Sequence, residues 1–324
     1  MVLEKDTEQA TSPETATPPV DVASSDDSAT TGRPVKFMGA MGHKLTVMQT
    51  LFIVMPSFIC FGYNQAGLGG LITMEDWLKT FPQIDTINVE GSEKSAHSTL
   101  QGFVVATFVI GAMIGALSCS WSGDKFGRRN VIFVAGVASL IGVILEASAF
   151  SLAQLIVGRI LVGFGVGQLS SIVPVWQSET AGASNRGRHV VIDGLFICMG
   201  YTLESWINLG FFEFKTGPVT WRPPIAIAVV FSSVIIACIY LLPESPRWLV
   251  MKNKTEEARR VIAAFRAKPL DAIEVQTELQ GIEYSLEEKT GHKVKLTDML
   301  SMGEDKLLYR FGLCMLLQFY QQMS

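Results

Sequence analysis

The sequence predicts an all-α membrane protein, and three observations carry that prediction. Hydrophobic residues make up 48 % of the 324-residue chain, and mean hydropathy is +0.33 although the first 44 residues and the stretch after Pro243 are hydrophilic. The apolar residues are gathered into six runs, roughly 46–71, 99–121, 131–150, 152–177, 189–211 and 221–242. Each is about the 20 residues that a helix needs to cross a hydrocarbon layer of about 30 Å. Lysine and arginine alternate between loops. Lys125, Arg128 and Arg129, then Arg186 and Arg188, follow the second and fourth runs, whereas Lys79, Lys94 and Lys215 sit among acids after the first and fifth. By the positive-inside rule both the N-terminus and the loop after the sixth run are expected in the cytoplasm. Uninterrupted runs of this length leave no room for the short, broken strands of a soluble α/β domain.

Taken in order, residues 1–44 are rich in Ser, Thr, Pro and acids and read as a disordered cytoplasmic tail. No cleavable signal is expected, because the first apolar run follows a long polar leader and exceeds a signal core in length. Residues 45–242 form the six-span bundle, whose short loops suit two inverted groups of three helices. Residues 243–306 are charged but periodic. TEEARRVIAAFRA aligns Ala258, Val261, Ile262 and Phe265 on one helical face, and the next segment aligns Ile273, Leu279 and Ile282 less regularly, so cytoplasmic surface helices are expected. Residues 307–324 read as the start of a seventh span. The run after Arg310 has 14 residues, about 21 Å at 1.5 Å each, and the sequence is expected to be truncated within that helix.

Several classes are excluded. His43, His97, His189 and His292 lack metal-ligand spacing, no nucleophile motif appears, and nothing suggests nucleic-acid binding, so no enzyme, cofactor or metal is expected. Cys60, Cys119, Cys198, Cys238 and Cys314 lie in apolar runs without C-x-x-C spacing and read as packing thiols. Asn253-Lys254-Thr255 matches a glycosylation acceptor, but its cytoplasmic placement argues against use.

Polar and small residues inside the spans are the functional pointers. Gly111 and Gly115 in the second span, and Gly163 and Gly167 in the fourth, are each four apart and invite close helix approach. Arg159, Glu146 and Glu204 are ionisable residues within spans, where a charge is costly and is normally paired or faces a cavity. Either carboxylate could partner Arg159. Asp193, 11 residues before Glu204 on nearly the same face, is about 16 Å away and too far for direct contact. Gln318, Gln321 and Gln322 share one face of the last helix, and amides suit sugar hydroxyls, which both donate and accept.

Five motifs in order carry a resemblance over Leu51 to Ser324: FGYNQAGLGG at 61–70, GDKFGRR at 123–129, GRILVGFGVGQLSSIVPVWQSETAGASNRG at 158–187, PESPRWL at 243–249 and QFYQQMS at 318–324. Together they resemble the N-terminal half of the sugar porter family of the major facilitator superfamily. The resemblance implies transmembrane transport of a monosaccharide or related polyol by alternating access, with a sugar and the lipid bilayer as partners, and the plasma membrane as location. It implies a cytoplasmic ion-pair latch of Asp124, Arg128, Arg129, Glu179, Arg186, Glu244 and Arg247, with Glu179 grouped with Arg186 and Glu244 with Arg247. It places Gln321 and Gln322, with Gln318, Asn64 and Gln65, at the sugar. Asn208 and Trp206 are weaker path-lining candidates.

The chain also departs from the family pattern. Gly194 and Ala228 stand where sugar-binding glutamines are usual, and Trp176 where Tyr or an aliphatic residue is common. Many proton-coupled members carry Asp at the position of Asn64, where it acts with the residue equivalent to Arg159. An amide cannot titrate, so Asn64 leans toward uniport, unless Glu146 or Glu204 supplies a relocated proton site. A second bundle of six helices is implied as the partner for rocking. Without it the alternatives are a non-transporting sugar sensor or an inactive fragment.

Overall fold

The computed structural model describes residues 36–37, 39–181, 186–213, 220–291 and 307–323, except the side chains of 186, 288–291, 307 and 321–323. The tail expected at 1–44 lies, up to residue 35, outside the described residues, as do Lys215 and His292. Among the described residues the structure is helical, with one isolated bridge between Phe37 and Ala40. Six helices among the described residues are long and apolar enough to cross a membrane.

The first span, α1, covers His43–Thr73. It contains a π-helical turn at Thr50–Val54 just ahead of Pro56, where the Met55 N–H bonds to the Thr50 carbonyl. Proline cannot donate to the preceding turn, and the wider turn absorbs the mismatch. A short helix α2, Glu75–Thr80, follows, then a 3₁₀ turn at Pro82–Ile84. The second span, α3, is Gly91–Phe126, and α4 is Arg128–Ala147. Gly127 between them has φ +93 and lets the chain reverse with no intervening loop. The fourth span, α5, is Leu152–Thr180, where Ser151 caps by accepting from the Gln154 N–H at 3.3 Å. Then come α6, Arg186–Phe212, and α7, Arg222–Cys238, which opens on two prolines in its first turn.

The principal packing partners are α3 with α5, α4 with α5, α1 with α6, α4 with α7, and α1 with α7. Exchanging the first three spans for the last three, in order, maps this pattern onto itself, as an inverted repeat requires. The glycines explain how the helices come so close. A Cβ on Gly111 or Gly115 would strike the carbonyl oxygen of Ile160 or Phe164 on α5, and one on Gly163 or Gly167 would strike that of Phe108 or Ala112 on α3. The two glycine pairs interlock with each other. Gly62 on α1 and Gly200 on α6 repeat the device against Ile197 and Ile59 in the symmetry-related pair.

At one end of the bundle α8, Pro246–Met251, α9, Thr255–Arg266, and α10, Ile273–Gly291, are not merely surface helices. Ala258, Val261, Ile262 and Phe265 are buried in one cluster with Leu45, Ile53 and Trp176 of the bundle. On α10 the buried residues are Val275 and Leu279, whereas Ile273 is exposed, correcting the face read from the sequence. The break at Lys268–Ala272 shifts the helix start and with it the face. At the opposite end of the bundle Trp77 and Phe81, on and just after α2, pack edge-on against Trp221, with ring centroids 5.2 and 5.7 Å from it. The last helix, α11, Leu307–Met323, leaves residues 309–320 exposed.

Candidate functional site

Two polar clusters stand out, one at each depth of the bundle. The first lies where GDKFGRR joins α3 to α4. The Arg128 side chain, on the first residue of α4 and 5 % exposed, reaches α5 and donates to Glu179 through Nε at 2.9 Å and Nη2 at 2.8 Å. Its Nη1 donates to the Gly123 carbonyl at 3.0 Å and to Asp124 Oδ1 at 3.2 Å. Such a bidentate pair matches the planar guanidinium to a carboxylate.

Glu244 completes this cluster from the other side. Its carboxylate accepts the backbone N–H groups of Arg128 at 3.1 Å, of Arg129 at 3.1 Å and of Ser245 at 2.9 Å. It therefore caps the start of α4, where orphan N–H groups and the helix dipole favour an anion. Burial pushes the Glu244 carboxyl above its usual range, opposed by those N–H groups and by Arg129. The motif's second glycine makes this approach feasible: a Cβ on Gly127 would lie 2.7 Å from Glu244 Oε2 and 3.2 Å from the Trp248 ring. Arg129 donates to the Tyr240 carbonyl at 2.8 Å, and Trp248 Nε1 donates to the Asp124 carbonyl at 3.1 Å.

Glu179 thus pairs with Arg128, and the Glu244 carboxylate is taken up by backbone N–H groups. Closure of α3, α4 and α5 brings these residues, far apart along the chain, together. Arg247 lines a cleft of ≈ 800 Å³ with Asp124, Glu179, Glu283 and Glu287, and holds no ion pair among the described residues. The side chain of Arg186 lies outside the described residues.

The second cluster is inside the bundle. Asn64, Glu146, Arg159, Glu204 and Asn208, from four different spans, line one pocket with Tyr63 and Pro224. Arg159 is 3 % exposed, with its guanidinium 5.1 Å from the centre of the Phe108 ring, and its Nε has no hydrogen-bond partner. Glu146 is 2 % exposed, and its Oε1 is likewise unpartnered. Glu204 accepts from the Asn208 amide one turn on. Asn64 turns back on its own helix, donating to the Cys60 carbonyl at 2.8 Å and to Cys60 Sγ at 3.2 Å.

Of the remaining sugar-contact candidates, Gln65 is exposed on α1, Trp206 is exposed on α6, and Gln318 is exposed on α11, while the side chains of Gln321 and Gln322 lie outside the described residues. Asp193 is buried in the N-terminal half of α6, its Oδ1 without a partner, well removed in sequence from Glu204. Among the described residues no cluster of metal-ligating side chains occurs.

The family profile described as "Sugar (and other) transporter" matches residues 49–324. The chain belongs to the sugar transporter family. Among its relatives, the sugar transporter STL1 of Saccharomyces cerevisiae is 32 % identical over 291 residues, covering 88 % of this chain and 50 % of that protein. Inositol transporter 4 of Arabidopsis thaliana is 37 % identical over 247 residues, covering 76 % of this chain and 41 % of that protein. The chain thus spans about half the length of the curated relatives it matches. A solved structure of the proton:xylose symporter XylE, bound to 6-bromo-6-deoxy-D-glucose, superposes with TM-score 0.67 at 25 % identity, covering 77 % of this chain and 55 % of that one.

For this sugar transporter family member, two features escaped the sequence reading. One is the aromatic cap of Trp77, Phe81 and Trp221; the spacing of Trp77, Phe81 and Ile84 on an i, i+4, i+7 pattern was its available signal. The other is the role of Glu244 as a helix cap, which no local spacing announces because 116 positions separate it from Arg128.

Proposed function

We propose that this chain forms the first bundle of an alternating-access carrier for a monosaccharide or related polyol, working against a second bundle in the plasma membrane. The observation that carries this reading is the exposure of polar side chains at membrane depth. Gln65 on α1 and Thr202 and Ser205 on α6 are exposed, on two helices that pack along each other. Polar groups facing hydrocarbon are costly, so such a face belongs against a water-filled path. The names of the relatives, a sugar transporter and an inositol transporter, fit hydroxylated substrates.

In this reading Gln65, with Gln318, Gln321 and Gln322, supplies amides to the sugar hydroxyls. The Arg128, Glu179 and Glu244 cluster holds the cytoplasmic ends of α3, α4, α5 and α8 as one piece, and Asp124 and Arg247 face the second bundle across the cleft. Both ends of the chain's six-span bundle then face the cytoplasm. The test is uptake of labelled hexoses, pentoses and polyols by the intact protein in cells lacking such carriers. Saturable uptake of at least one, with a KM raised by Gln65→Ala or Gln318→Ala, is expected. Absence of saturable uptake for every compound would sink the proposal.

A further inference from the structure

We propose that Glu146 is the site at which this protein binds a transported proton, with Arg159 as its switching partner and Glu204 as the second carboxylate of the switch. The proposal rests on the transport reading above and adds the coupling ion to it.

The starting point is Arg159. A guanidinium buried at membrane depth must be compensated, because an unpaired charge there is expensive. Every packed helix can be searched for its counter-charge. From α1 come Tyr63, whose hydroxyl is committed to the Pro224 carbonyl, and Asn64, whose amide nitrogen is committed to Cys60. The first-span position therefore offers no charge. From α3 comes the Phe108 ring. From α7 the nearest cation is Arg222, and its Nη2 is committed to the Ala149 carbonyl at 3.2 Å. What remains is Glu146 from α4 and Glu204 from α6, both buried and both lining the pocket with Arg159.

Two carboxylates share one guanidinium. If both were ionised the pocket would hold one uncompensated negative charge in a low-dielectric interior, so one of them keeps a proton. The geometry distinguishes them. Glu204 has the Asn208 amide as a donor, which favours its anion, whereas Oε1 of Glu146 has no donor at all. Glu146 is the one to be protonated.

The pocket is built for this. The absence of a side chain at Gly158 makes room for Glu146, since a Cβ there would come within 2.7 Å of its Cγ. The free volume is ≈ 10 Å³, about that of one water. Pockets that take up small organic molecules are about 300–1,000 Å³, so the site suits a proton and not a sugar. No ion pair closes between Arg159 and either carboxylate, which leaves the guanidinium free to serve either one.

The step balances simply. A proton from outside water bonds to a Glu146 carboxylate oxygen, neutralising it, and Arg159 turns to Glu204. After the carrier reorients, the same proton passes from Glu146 to cytoplasmic water, and Arg159 returns to the carboxylate. No electrons move, and one proton enters for each that leaves.

Two measurements test this. In lipid nanodiscs, infrared titration should reveal the carbonyl stretch of a protonated carboxylic acid that is lost in Glu146→Gln. In Glu204→Gln the band's midpoint should move to lower pH, because a single carboxylate then faces Arg159. A band that survives Glu146→Gln unchanged would overturn the proposal. In cells, a one-unit inward pH gradient should drive about tenfold sugar accumulation, and Glu146→Gln should reduce this to equilibration while sugar exchange continues. Wild-type uptake that is saturable but indifferent to the gradient would overturn the proton site and leave the transport reading standing. Lack of any saturable uptake would overturn the transport reading, and the infrared arm would still decide whether Glu146 holds the proton.

Discussion

Two buried arginines, about equally hidden from solvent, are treated in opposite ways. Arg128 spends Nε, Nη1 and Nη2 on Glu179, Gly123 and Asp124, whereas Arg159 leaves Nε without a partner and rests on an aromatic ring. The first is fixed between three helices by directional bonds. The second lines one pocket with two carboxylates and closes an ion pair with neither. Complete satisfaction makes a joint, and incomplete satisfaction leaves room for a switch, because a group with no unique lowest-energy partner can change partners at small cost.

The contrast can be broken experimentally, beginning at the joint. Arg128→Ala should destabilise the bundle by about 3–5 kcal/mol, since it leaves the Glu179 carboxylate buried and unpaired. Chemical unfolding in mild detergent, followed by tryptophan fluorescence, measures this. A smaller loss, about 1–3 kcal/mol, is expected for Gly127→Ala, which forces a side chain into a positive-φ conformation and against Glu244. The same unfolding assay should register it, and Gly127→Asn should not recover the loss, because at φ 93 and ψ 162 essentially only glycine is unstrained and the contact with Glu244 remains.

At the switch the effects on stability should be slight. Arg159→Met, which preserves apolar contact with Phe108, should stay within about 1 kcal/mol of the parent because no directional bond network is lost and Glu204 can take up a proton beside the already protonated Glu146. A loss as large as that of Arg128→Ala would erase the distinction between the two clusters. The least effect expected is a pH slope from Glu244. Its carboxyl is raised by burial, so the native state holds this proton more tightly than the unfolded state. Stability should therefore fall as pH rises from the ordinary glutamate range into the range just above it, and stay level beyond. Glu244→Gln should flatten that slope in melting temperatures measured across the interval.

Much of the architecture was legible because bilayer crossing leaves a strong mark: six apolar runs, alternating basic loops and paired glycines are local patterns. The ends were less legible. The second span was read as 99–121, yet its helix covers Gly91–Phe126, because polar turns that project into water carry no hydropathy signal. Of the site, Arg159, Glu146 and Glu204 were visible as costly residues, and their partnership was open until helix rotation set them around one pocket. The pairing of Arg128 with Glu179, 51 positions apart, and the capping by Glu244 depend on tertiary closure. Sequence spacing alone does not announce either contact.

The interlocked glycines of α3 and α5 have a further consequence. Where Gly111, Gly115, Gly163 and Gly167 meet, one helix rests on the carbonyl oxygens of the other, so the contact is made by atoms that every residue shares. A joint of that kind is nearly blind to which side chains surround it. Inheritance of the fold then requires only that a few positions stay empty, while the rest of each helix drifts, and a bundle can keep its shape at 25 % identity to a distant bacterial relative.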